Sequence, residues 1–301
     1  MLAHDPAGQN THPPCACILF PVSLCRMEQY LKKQIALPQD HGSWVFILSP
    51  LLIGVFAGGQ FTGASFYLIA AAMSAFMLRQ PMTITVKALS GRRPRTDLPA
   101  ARFWALVYGA IAAAALTGLI LEGYGYLLYL AVPGAPVFAW HLWLVSRRAE
   151  RRQAGVEVIA TGVLSLCAPA AYWVGVNGYD PSGWWLWLLT WLQSAASIVY
   201  AYLRLSQREM EGEQAAAMSR SAWRRMGIRA FAYTSFNLVL SAAAGALNFV
   251  PALIFIPYAL QWLETIWGIT HPAVGWKPTK IGVRQLIVST LWTVLFVLFW
   301  R

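Results

Sequence analysis

Few side chains in this sequence are equipped to do chemistry, and most of them stand at the edges of apolar runs. The stretch QDHGSW, Gln39 to Trp44, sets an acid, a histidine and a tryptophan directly ahead of a long hydrophobic segment. Farther along, Arg79, Lys87 and Arg204 close apolar blocks, Glu264 lies near the end of another, and Lys280 follows in a basic loop. Three kinds of chemistry are open to such a set. His41, His141 and His271 could ligate a metal or haem, but no H-x-x-x-H or H-E-x-x-H spacing occurs, and paired haem histidines belong on facing helices within a core. Arg79, Lys87 and Arg204, at helix ends facing His41, could hold an anion or a lipid headgroup, because guanidinium presents a bidentate fork to phosphate. Glu209 and Glu213, four apart, share a helical face and could hold Mg²⁺, although a solvated charged turn accounts for them better. The plain structural alternative is that Asp40 caps a helix, Trp44 anchors it at an interface, and the other polar groups make interhelical hydrogen bonds of about 1 kcal/mol each. The candidate ligand contacts are accordingly His41, Arg79, Lys87, Arg204, Glu264 and Lys280, with no metal-ligand set among them.

The elements that must position these residues follow from composition. The chain has 301 residues, 58% hydrophobic and only 12% charged, with 15 Trp. A soluble protein carries about twice that share of charge, so the apolar residues must be covered by something other than water. A helix crosses a bilayer in about 20 residues, and apolar blocks of that order recur at about 43–60, 62–79, 102–121, 124–146, 156–176, 184–203, 229–247, 249–268 and 282–300. The fourth is interrupted by VPGAP, Val132 to Pro136; halves would be too short to cross, so one kinked span is expected. The fold class is thus an all-α polytopic membrane bundle of about nine transmembrane helices.

Lys and Arg accumulate on the cytoplasmic side of short loops. Under a nine-span arrangement every Lys and Arg except Arg301 falls on one side, which a wrong span count would not produce. The expected topology has the N-terminus in the cytoplasm and the C-terminus outside. The net charge of +11 is then a topology signal beside anionic lipid, each near-surface cation contributing on the order of 1 kcal/mol. No soluble stretch is long enough for a basic nucleic-acid-binding domain, so no nucleic acid is expected as a partner. Cys15, Cys17, Cys25 and Cys167 contain no paired C-x-x-C units, which speaks against zinc, and cytoplasmic placement of the first three speaks against disulfides.

A cytoplasmic N-terminal segment, residues 1–35, and one transmembrane domain, residues 36–301, are expected. Within the first, residues 1–26 lack a basic n-region and carry Pro21 inside a short apolar stretch, so they make a poor signal peptide. MEQYLKKQIALPQDHG, from Met27, opens like an amphipathic basic lead-in to a first span. Met27 is the expected start, with the preceding residues disordered or a mis-assigned extension.

Four stretches then suggest a family. LPQDHGSW entering the first block, LRQPMTITVK leaving the second, QSAASIVYAYLRL ending the sixth and KPTKIGVRQ before the last resemble the YwiC-like family of bacterial integral membrane proteins. In that family the first motif reads as Pro, an acid, His, Gly, a small residue and Trp. Here Gln39 and Asp40 precede His41, and Ser43 holds the small position. The resemblance runs from about residue 35 to the end and implies a polytopic bacterial membrane protein without implying a particular activity. The architecture is also similar to that of the UbiA-type intramembrane prenyltransferases, with nine helices and long cytoplasmic loops after helices two and six. Those enzymes use an Asp-rich motif in each loop to hold the Mg²⁺ that neutralises an isoprenoid diphosphate. This sequence departs from them there: RQPMTITVK has no carboxylate until Asp97, and the second position offers only QREMEGE.

The functional expectation is a protein that binds an isoprenoid, a quinone or a lipid headgroup in a cytoplasm-facing cavity, without a cofactor. The alternatives are a prenyltransferase-like enzyme with a cationic diphosphate site, the one case in which Mg²⁺ would enter, and a transporter or assembly factor. The expected partner is a membrane lipid or isoprenoid-type amphiphile; a protein partner is left open.

Overall fold

The computed structural model describes residues 32–38, 41–149, 153–210 and 212–300, and every regular element among them is a helix. In chain order these are α1 (Lys33–Ala36), α2 (His41–Gly58), α3 (Gly63–Leu89), α4 (Leu98–Leu121), α5 (Ala131–Ser146), α6 (Ala154–Leu164), α7 (Cys167–Gly175), α8 (Ser182–Arg208), α9 (Gly212–Ala217), α10 (Arg220–Ala246), α11 (Phe255–Thr270) and α12 (Pro278–Trp300), with short 3₁₀ turns before α4, α5 and α11. The all-α class is as the apolar periodicity requires. Met27 and the residues before it, and Asp40 with its expected capping role, lie outside the described residues.

Each apolar block coincides with a helix or a helix pair. Six of these units are long and apolar enough to cross a membrane among the described residues: Arg95–Leu121, Gly125–Ser146, Ala154–Gly175, Ser182–Arg208, Ala252–Thr270 and Pro278–Trp300, with Gly42–Gly58 a shorter apolar helix. Helices α3 and α10 are equally long but fall outside that set. Arg79, Gln80 and Lys87 interrupt α3, and Arg220, Arg224, Arg225 and Arg229 load the first turns of α10.

Two proline positions shape these units. VPGAP does not split the fourth block: Pro133 sits in the first turn of α5, where its missing N–H is not needed, and the irregular part is the preceding 3₁₀ turn, Gly125–Leu130. The fifth block does divide, between α6 and α7. Pro169 cannot donate to the Ser165 carbonyl, four residues back; Ala168 N donates to it instead at 3.0 Å, in 3₁₀ fashion.

Contacts between the connections sort the two ends of the bundle. At one end Lys32 Nζ donates to Asp97 Oδ1 at 2.9 Å, Arg92 reaches the Val145 carbonyl, Tyr202 donates to Glu157 Oε1 at 2.8 Å, and Arg208 Nε donates to the Trp276 carbonyl at 2.9 Å. At the other, Tyr124 donates to Asn177 Oδ1 at 2.7 Å, and Trp300 shares a cavity with Ser182 and Asn248. The arginine-bearing connections therefore meet at a single basic end.

In a lipid environment helices associate by close packing rather than by apolar burial. The α2–α7 contact is of that kind. Gly54 and Gly58, spaced as in GxxxG, lie on the backbone of Ala168 and Gly175; a Cβ at Gly58 would come within 2.8 Å of the Gly175 Cα. Around that contact a core of Ile53, Leu68, Leu119, Trp173, Leu186 and Leu189 is joined by Tyr258, Trp292 and Phe296 from the last two helices.

Candidate functional site

Helix α8 carries a polar stripe through the bundle. Thr190, Gln193, Ser197, Tyr200, Arg204 and Gln207 recur every three or four residues, so they share one face with Ser194 beside Gln193, and all are buried. The facing helix α11 answers with Gln261, Glu264, Thr265 and Gly268, also on one face and buried. Midway, Gln193 Nε2 donates to Gln261 Oε1 at 3.1 Å, and Asn237 Nδ2 of α10 donates to the Leu192 carbonyl at 2.8 Å.

The stripe ends at the basic end in a dense ionic cluster. Glu264 accepts two hydrogen bonds from Arg284 of α12, from Nε at 2.6 Å and from Nη2 at 2.7 Å, and a third from the Tyr200 hydroxyl at 2.8 Å. A bidentate guanidinium–carboxylate pair is among the stronger polar contacts available to a protein. Arg204, only 1% exposed, is held differently. Its Nη1 donates to Gln207 Oε1 at 2.9 Å, to the Gly268 carbonyl at 2.7 Å and to the His271 carbonyl at 2.8 Å. The last two belong to the end of α11, where carbonyls lack intrahelical donors and the helix dipole is negative, so Arg204 caps that helix. Its Nη2 has no hydrogen-bond partner among the described residues. Gln207 completes the clasp, donating to the Gly268 carbonyl at 3.1 Å and accepting from Ala273 N at 3.2 Å. Position 268 must be glycine for α8 and α11 to approach this closely, since a Cβ there would collide with the Tyr200 hydroxyl.

Aromatic rings are interleaved with the cations. Lys280 Nζ lies 4.0 Å from the Trp276 ring centroid and Arg204 Cζ 5.0 Å from the same ring; Arg204 Cζ is 5.4 Å and Arg284 Cζ 3.5 Å from the Trp267 ring. Cations over indole faces are attracted by the ring quadrupole. Against this cluster opens a cavity of about 840 Å³. Its polar part is formed by Glu264, Trp276, Lys277, Lys280 and Arg284, and its apolar part by Val283, Ile287 and Val288. Lys280, Val283, Arg284, Ile287 and Val288 fall at helical spacing on one face of α12, which begins at Pro278, a residue suited to a first helical position.

Of the residues singled out from sequence, the structure brings three together. Glu264 and Lys280 line the cavity, and Arg204 stands behind its Trp276 wall. Arg79 and Lys87 do not line it: both are half-buried on α3, which packs against α1, α4, α5 and α7. His41 is the first residue of α2, and its side chain lies outside the described residues. Trp44 is half-buried, with its ring edge-on to Phe76 at 5.4 Å, so it packs between α2 and α3. His271 stacks on Trp267, and no group of three or more His, Cys, Asp or Glu residues that could hold a metal ion occurs among the described residues. Sequence reasoning took Arg284 and Lys277 for topology charges and passed over Tyr200, Gln207, Trp267 and Trp276. One signal was available: a carboxylate at membrane depth requires a cation, and Glu264 had none nearby in sequence on its own helix.

A helical bundle with several membrane-length apolar helices and a polar, cation-rich cluster at one end is a multi-pass membrane protein. Over much of its length the chain is similar to known proteins. Residues 37–172 match the family described as YwiC-like protein, and the chain is similar to the Bacillus subtilis (strain 168) protein described as "Uncharacterized protein YwiC", with 24% identity over 278 residues, covering 87% of this chain and 97% of that one. Both matches agree with the resemblance to YwiC-like proteins that the sequence motifs carry. No solved structure matches the chain significantly. The family match ends at residue 172, ahead of the helices that build the cavity.

Proposed function

We propose that this protein sits in the bacterial inner membrane with its basic end in the cytoplasm and its C-terminus outside, and that it binds an anionic amphiphile in the cavity between α11 and α12. The observation that carries the reading is the composition of that cavity. Lys277, Lys280 and Arg284 meet a single carboxylate, Glu264, at one part of it, and Val283, Ile287 and Val288 form another. Three cations against one carboxylate suit an anionic headgroup, and an apolar wall beside them suits an acyl or isoprenoid tail. The nine-span reading of the sequence supports the orientation, since it gathers the basic connections on the side that positive charge favours.

Binding is the function rather than catalysis by metal-assisted diphosphate loss, because the carboxylate that faces the cavity is already engaged by Arg284 and Tyr200. The reading is tested by identifying lipids retained by the detergent-purified chain with mass spectrometry, then titrating delipidated protein with anionic phospholipid and with a quinone. Saturable binding of anionic lipid, weakened at least five-fold by Lys280→Ala, supports it. Absence of any retained or titrated anionic amphiphile refutes it. Orientation is read separately: a C-terminal alkaline phosphatase fusion is expected to be active and a C-terminal green fluorescent protein fusion dark.

A further inference from the structure

We infer that the head of the amphiphile is a terminal phosphate, a phosphomonoester carrying nearly two negative charges, rather than a phosphodiester or a neutral quinone. This rests on the cavity being an anionic-amphiphile site and adds the charge of the ligand.

The argument is a balance of charge around the cavity. Arg284 is committed to Glu264 through two short hydrogen bonds, so that pair is internally neutral. Lys277 and Lys280 line the cavity and are exposed. Behind Trp276 stands Arg204, buried, with every partner of its Nη1 a neutral oxygen and its Nη2 without a hydrogen-bond partner among the described residues. No ion pair to Arg204 occurs among the described residues. Arg204 Cζ and Lys280 Nζ each lie close to the Trp276 ring, so the two charges are no more than about 9 Å apart, comparable with the screening length in physiological salt. A buried charge is screened less than that. The cavity therefore faces two exposed ammonium groups, Lys277 and Lys280, that have no ion-pair partner among the described residues, with the buried guanidinium of Arg204 adding positive potential from behind Trp276. A phosphodiester brings one negative charge and leaves most of that surplus; a quinone leaves all of it. A phosphomonoester brings about −1.5 to −2 at neutral pH and three strong acceptor oxygens. Two flexible ammonium groups on neighbouring turns can meet such a head as point charges.

Two lipid types present this head, a diacylglycerol phosphate and a polyprenyl monophosphate, and the experiment separates them. The purified full chain in detergent micelles is titrated at pH 7.5 with phosphatidic acid and with phosphatidylmethanol of the same acyl chains. These differ by one methyl, which removes the second ionisation. A polyprenyl monophosphate forms a third arm. Phosphatidic acid is expected to bind at least ten-fold more tightly than phosphatidylmethanol, and Lys277→Ala combined with Lys280→Ala to reduce that preference below three-fold. Both lysines are exposed, so the fold is retained. If the polyprenyl monophosphate outbinds phosphatidic acid, the tail is isoprenoid; if not, it is diacyl. Equal binding of phosphatidic acid and phosphatidylmethanol overturns the inference and leaves the anionic-amphiphile reading standing. A preference that survives in the double lysine variant also overturns it, since the selectivity then arises elsewhere. Binding of quinone with none of either phospholipid overturns both.

Discussion

The pair Glu264–Arg284 makes an asymmetric prediction. Glu264 is 9% exposed at its side chain and Arg284 36%. Breaking a fully buried ion pair costs about 3–5 kcal/mol, most of it for the charge left without a partner. Arg284→Met strands the buried member. Glu264 then keeps only the Tyr200 hydroxyl, and the loss should be about 2–3 kcal/mol, below the fully buried figure because the pair is partly wet. Glu264→Gln strands the exposed member, which can turn toward water, and the side-chain amide still offers an oxygen to Tyr200; that loss should be about 1 kcal/mol. The double variant leaves no orphan charge and should recover much of the larger loss, a coupling of about 1–2 kcal/mol. The measurement is thermal unfolding in detergent followed by tryptophan fluorescence for all four proteins, where each kcal/mol corresponds to roughly 2–4 °C. A cost for Glu264→Gln equal to or above that of Arg284→Met, or a coupling under about 0.5 kcal/mol, would refute the reasoning.

Other positions carry sharper structural tests. Gly268→Ala should lower stability by about 1–3 kcal/mol through overpacking against the Tyr200 hydroxyl, and Tyr200→Phe in the same chain should recover part of the loss; no recovery would place the clash elsewhere. Gly54→Leu should abolish folded yield in size-exclusion chromatography, because the new side chain meets the Ala168 backbone of α7 rather than a movable side chain. Asp180, between α7 and α8, is held below the ordinary carboxylate range first by the Ser182 hydroxyl and then by the Ser182 amide, whose N–H donates to Oδ1 at 2.7 Å. A lowered folded pKa stabilises above the unfolded value of about 3.9 and is lost as pH falls through the folded value. The melting temperature should therefore gain acid sensitivity only below about pH 4, and Asp180→Asn should remove that component; an unchanged acid slope in the variant would count against it.

Long-range placement is where sequence and structure part. Apolar runs of membrane length, the sorting of cations between loops and the ordered short motifs are local properties of a chain, and they carry the helical class, the membrane setting and the family resemblance. Hydrogen bonding within each helix is complete in itself, so a hydrophobic run reveals its helix without any knowledge of neighbours. The break at Ser165 could likewise have been read from Pro169, four residues on. Which helices touch was not legible in that way. His41, Arg79, Lys87 and Arg204 looked equivalent as polar residues at helix ends near one side, and nothing in their spacing says that α3 faces α4 while α8 faces α11. Tyr200, Arg204 and Gln207 form a recognisable stripe, but their partners Glu264, Gly268 and His271 lie more than sixty residues away. Only the crossing of α8 with α11, permitted by the missing side chain of Gly268, turns Arg204 from a topology charge into a helix cap beside a cavity. Only the return of α12 sets Arg284 on Glu264 and brings Lys277 and Lys280 to the cavity without an ion pair among the described residues. Sequence determined that this chain folds as helices in a membrane, because that is decided run by run; the tertiary structure decided where its uncompensated charge collects, because that depends on pairs of residues that local chemistry cannot join.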